Sequence, residues 1–200
     1  MIRVVIGSTA AAVAMFIIGF IFFGLGLQNL AIKSVGDVQA APIQQALRAN
    51  IESTGTYMVP GERTPEQTRM YGTGPVATIH YNVEGQVAGM SAGTAFKGLV
   101  FNFAIALAFG LALIGIDGRV RDFGSRARVA AIIAVAAAAF THLGVPLYYP
   151  HDWAYYIYLF LADGISLAVA GIIVAWFIKV EPAAAVVGEA PAAPTPAEEA

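Results

Sequence analysis

The chain reads as a mainly α membrane protein, with four transmembrane helices and a small extracytoplasmic α+β lobe between helices 1 and 2. Composition and patterning predict this. Of 200 residues, 58% are apolar and 12% charged, whereas soluble domains run near half and a quarter. The apolar residues gather into four runs of spanning length, and a long polar stretch separates the first run from the second. Thirteen acids against eleven bases give a net charge of −2, so nothing points to nucleic acid as a partner. The chain has no cysteine, which excludes disulfides, thiolate metal sites and cysteine nucleophiles.

The first run, 4–27, carries no charge and exceeds the roughly 20 residues that cross a bilayer. Val38-Gln39-Ala40 has the small-residue look of a signal cleavage site. Signal-peptide apolar regions are only about 7 to 15 residues long, however, so a retained signal anchor is the expectation. Further spans are read at 98–116, 129–147 and 153–178, the last with one acid inside it. Arg3 precedes the first span, Arg119, Arg121, Arg126 and Arg128 fall between the second and third, and Lys179 follows the fourth. Basic residues beside spans stay cytoplasmic, which places both ends inside. Tyr148, Tyr149, Trp153, Tyr155, Tyr156 and Tyr158 then form an outer aromatic belt, with Trp176 at the inner one. The four arginines are read as a topology signal and a contact for lipid headgroups.

The chain divides into helix 1 at 1–29, the lobe at 30–96, a three-helix membrane unit at 97–180 and a disordered cytoplasmic tail at 181–200. The lobe is too long for a structureless loop. Ile43, Ala46, Leu47, Asn50 and Ile51 recur at helical spacing, predicting a short amphipathic helix from near Ala41-Pro42 that can lie on the membrane surface. Thr64-Pro65-Glu66-Gln67 reads as a capping box opening a second helix. Strands are expected at 56–59 and 76–81, with turns at Pro60-Gly61 and Glu84-Gly85. Ser91 can cap the helix into the second span. The tail is Ala, Pro and Glu with no apolar face to bury.

Small residues predict close helix packing: Ala104, Ala108 and Ala112 in the second span, Ala130, Ala131, Ala134 and 136–139 in the third, and Gly164, Ala168 and Gly171 in the fourth. A homodimer face through Gly164 and Ala168 is the alternative use. The first span has only Gly19, Gly24 and Gly26 as small residues in its outer half, so it is read as standing apart or docking on a partner.

Asp163 is the residue that calls for a role, because an acid inside a spanning helix is costly. At 1.5 Å per residue it lies roughly 8 to 12 Å below the outer boundary, and Asn102 and His142 fall at about the same depth. Tyr156 and Ser166 share a polar stripe with Asp163 along the fourth helix. A short connection makes spans three and four an antiparallel hairpin, so His142 and Asp163 are expected within hydrogen-bonding reach. Asn102 can then complete a three-helix network. This cluster is read either as glue between helices or as a proton, ion or ligand site. A haem would need two axial ligands in the bundle, and only His142 lies in a span. His151 sits in the outer turn, and His80 on the solvated face of a strand. Ser166 beside His142 lacks any nucleophile-elbow pattern. No catalytic residue, metal or cofactor is expected.

Three stretches are familiar together: Thr54-Gly55-Thr56-Tyr57-Met58-Val59-Pro60-Gly61, then Gly74-Pro75-Val76-Ala77-Thr78-Ile79-His80-Tyr81-Asn82, then Leu161-Ala162-Asp163-Gly164. In these the chain resembles a group of small, uncharacterised four-helix inner-membrane proteins of proteobacteria. The resemblance implies the bacterial inner membrane and no particular reaction. Function is therefore read as a non-enzymatic accessory or assembly component of a membrane complex, with the bilayer and a protein partner or second copy as its contacts. A small transporter or proton-coupled channel using Asp163 and His142 is the second reading, and a haem-binding subunit the third.

Overall fold

The computed structural model describes residues 1–86, 89–149 and 151–178; Lys179 and the 181–200 tail lie outside them. The order is α1 (Ile2–Gly19) running into a π-helical turn (Phe20–Gly24), a 3-10 turn (Leu27–Leu30), α2 (Asp37–Asn50), β1 (Gly55–Val59), α3 (Pro65–Thr73), β2 (Ala77–Tyr81), α4 (Ala92–Gly115), α5 (Phe123–Ala138), a second π-helical turn (Ala139–Leu143), α6 (Gly144–Tyr148) and α7 (Trp153–Phe177). Four helices are long and apolar enough to cross a membrane: Ile2–Gly24, Ala92–Gly115, Phe123–Tyr148 and Trp153–Phe177.

Side-chain caps set where three of these helices begin. Ser91 Oγ accepts from Thr94 N at 3.1 Å, as expected. Asp122 Oδ1 accepts from Ser125 N at 2.8 Å and Asp152 Oδ1 from Ala154 N at 3.2 Å. The Asp122 cap starts α5 well before the apolar run, so Arg126 and Arg128 belong to the helix rather than to the connection before it.

α7 is the centre of the bundle. α1 and α5 pack along it, α4 packs on α1 and touches α7, and α4 and α5 scarcely meet. The first span therefore does not stand apart. Its N-terminal half carries Gly7, Ser8, Ala11 and Ala12, all buried with Val4 and Met15. A Cβ on Gly7 would come within 2.8 Å of Phe177 Cβ, so the backbones of α1 and α7 approach closely there. The second span buries Ala106, Gly110 and Leu113 and leaves Ala104, Ala108 and Ala112 exposed, one helical face away from the expected stripe. The fit of Gly110 decides this, since a Cβ there would meet Val4 Cγ1 at 2.4 Å. On α5, Ala130, Ala134 and Ala138 are at most 2% exposed and face Gly171 and Gly164 of α7. Gly164 thus serves packing within the chain.

The lobe is thinly built. β1 and β2 pair antiparallel from Gly55 with Tyr81 to Val59 with Ala77. α3 lies between them in sequence, capped by Thr64 Oγ1 accepting from Gln67 N at 3.2 Å. Gln67 Oε1 reaches back to Arg63 N at 3.1 Å, one residue earlier than a capping box requires. α2 begins at Asp37, a turn before Ala41-Pro42, and holds Pro42 inside it.

Candidate functional site

His142 and Asp163 meet as expected, with His142 Nε2 and Asp163 Oδ2 2.7 Å apart. The hairpin of α5 and α7 sets their depth, and the π-helical turn sets the direction of the imidazole. Positions 130, 134 and 138 already face α7, and each step of four overshoots a full turn by about 40°. The i→i+5 turn holds more residues per revolution, which offsets that drift and keeps His142, the next in the series, toward α7. Thr141 precedes it and turns its hydroxyl back onto Ala137 O at 2.9 Å. The His142 side chain is 13% exposed and that of Asp163 45%. The imidazole is thus packed within the bundle, while the carboxylate reaches into open space.

That space is a cleft of about 340 Å³. Its wall takes Met15 and Gly19 from α1, Asn102 and Ile105 from α4, Thr141 and His142 from the π-helical turn, and Asp163, Ser166 and Leu167 from α7. The expected layer of Asn102, His142 and Asp163 is therefore one lining. The three-helix network is not closed: Asn102 and Ser166 line the cleft without a hydrogen bond to the pair. Because α4 and α5 scarcely meet, the cleft opens sideways between them. Toward the C-terminal end of α7 it ends where Gly171 lies against Ala130 and Phe109.

Tyr156 belongs elsewhere. Its hydroxyl pairs with His151 Nδ1 at 3.0 Å, and His151 Nε2 pairs with Thr78 Oγ1 of β2 at 3.1 Å. The rings of Tyr149 and Tyr156 also lie beside that of His151, with centroids 5.7 and 5.6 Å away. This histidine fastens the lobe to the N-terminal end of α7, a role that sequence spacing across 73 positions does not show. Tyr158 also leaves the belt for a structural task, donating its hydroxyl to Phe22 O in the first π-helical turn, where regular helical pairing is broken. His80 is exposed, as expected, and pairs with Thr56 Oγ1 at 3.1 Å.

The arginines divide. Arg119, Arg121 and Arg128 keep the exposure that a headgroup contact requires. Arg126 does not: it is 1% exposed. It donates to Val120 O at 2.9 Å and to Ile178 O at 3.1 Å, and it pairs with Asp117. It therefore clasps the end of α4, the start of α5 and the end of α7. The planar guanidinium has enough donors to hold three acceptors at once.

No protein-family model, curated protein or solved structure matches this chain.

Proposed function

We propose that this is a multi-pass protein of the bacterial inner membrane, with the segments before α1 and after α7 cytoplasmic and the lobe periplasmic. It acts as a non-enzymatic accessory or assembly component of a larger membrane complex. The lobe carries this reading. Among the described residues of 30–96 only Ala31 is buried, and neither α2 nor α3 buries a residue. Val38, Ile43, Met70 and Val83 are 83%, 49%, 52% and 47% exposed. A segment of this length that buries so little apolar surface does not offset its own ordering, and a partner surface would supply the missing burial.

Photo-crosslinking residues at Ile43 and Met70 in the full chain test this in cells. Discrete adducts to one membrane protein from both positions are expected; their absence from both would refute the reading. The topology is checked in intact spheroplasts, where a cysteine replacing Glu62 takes a membrane-impermeant label and one replacing Ser125 does not.

The 2.7 Å contact of His142 and Asp163 in an open cleft favours a second reading, a small proton-coupled transporter. Asp163→Asn separates the two. Loss of proton flux with the adducts intact supports transport, whereas loss of the protein from the membrane supports a structural pair.

A further inference from the structure

We propose that the cleft between α4 and α5 binds a neutral, membrane-dissolved amphiphile whose compact head carries at least two hydrogen-bonding oxygens, as a quinone or a diacylglycerol does. The opening sets where the ligand comes from. α4 and α5 part at the level of Asn102 and His142, so a tail lying among the acyl chains can run out sideways. The head enters a space of about 340 Å³, within the range of small-molecule sites. Toward the C-terminal end of α7 the space stops where Gly171, Ala130 and Phe109 meet.

The lining sets what the head must be. Met15, Ile105 and Leu167 give an apolar wall, and Asn102 and Ser166 bring hydrogen-bonding side chains that are unpaired among the described residues. Together with the second oxygen of Asp163, they offer both donors and acceptors to a ligand. Charge excludes the ionic alternatives. Asp163 opposes an anion, and His142 already occupies that carboxylate against a cation. Depth excludes phospholipid heads, because the layer lies roughly 8 to 12 Å below the outer boundary, beneath their phosphates.

The test uses the detergent-purified full chain and four soluble probes: decylubiquinone, 1,2-dioctanoylglycerol, dioctanoyl phosphatidic acid and decyltrimethylammonium. Native mass spectrometry reads bound adducts, and a melting shift reads stabilisation. One adduct per chain is expected for at least one neutral probe, with both charged probes at least tenfold weaker. Binding of one neutral probe alone identifies its class as the source; binding of both leaves the shared head chemistry as the selected feature. Ser166→Leu adds bulk to the cleft, leaves both members of the pair unsubstituted and is expected to weaken binding at least tenfold. Asn102→Ala is expected to weaken it at least threefold. If Ser166→Leu does not fold, the Asn102 variant decides, together with slowed hydrogen exchange in the 139–143 turn on adding the probe. No neutral binding, equal binding of a charged probe, or neutral binding unchanged in the folded variants would overturn the proposal.

Discussion

Replacing Arg126 with alanine separates a structural clasp from a headgroup contact. The guanidinium is 1% exposed and makes two hydrogen bonds to carbonyls as well as the pair with Asp117. Hydrogen bonds from a charged donor are worth about 1.5 to 3 kcal/mol each. The Asp117 side chain is 41% exposed, so that pair is screened and adds no more than about 1 kcal/mol. Val120 lies in the connection between α4 and α5 and Ile178 just past the end of α7, where water can replace part of what is lost. We therefore expect Arg126→Ala to cost about 2 to 4 kcal/mol, against about 1 kcal/mol or less for Asp117→Asn and nearly nothing for Arg128→Ala. Equilibrium unfolding in mixed detergent micelles, followed by circular dichroism, measures all three. A cost for Arg126→Ala within about 0.5 kcal/mol of that for Arg128→Ala would refute the clasp, since exposed arginines away from specific features change stability by no more than that.

Gly171→Ala should destabilise by about 1 to 3 kcal/mol, because its Cβ would come within 2.7 Å of Ala130 Cβ. Gly164→Ala, whose Cβ would sit 3.6 Å from Ala138 Cβ, should be tolerated; equal costs in the same unfolding assay would count against the close crossing at Gly171. Thr78→Val removes the hydroxyl held by His151 and should loosen the lobe by about 1 kcal/mol, seen as faster hydrogen exchange in β2 with α7 unchanged. The backbone N–H of Ser125, foremost, and then its side chain hold the Asp122 carboxyl below its ordinary value. A lowered folded-state pKa contributes stability above the unfolded value that is lost as pH falls through the folded one. The α5 N-terminus should therefore fray only below the ordinary carboxylate range, and Asp122→Ala should abolish that pH dependence in the exchange of the first α5 amides.

Where the apolar runs lie, how the helices are capped and how far along its helix Asp163 sits are local properties, and the sequence determined them. Spanning length needs only a count of apolar residues, a cap needs only a side chain two or three positions from its amide, and depth along a helix is a fixed rise per residue. The antiparallel hairpin of α5 and α7 followed from a short connection, and with it the meeting of His142 and Asp163. Tertiary structure decided which faces pair. Periodicity marks Ala104, Ala108 and Ala112 as a stripe as readily as Ala106 and Gly110, and only the approach of Val4 to Gly110 chooses between them. It also decided that α1 packs on α7, that α4 and α5 part around a cleft, and that Arg126 turns inward to Val120, Ile178 and Asp117. The physical reason is distance along the chain. Helix termini such as 117, 126 and 178, or an outer turn and a strand such as 151 and 78, acquire a common neighbourhood only once the whole bundle has closed.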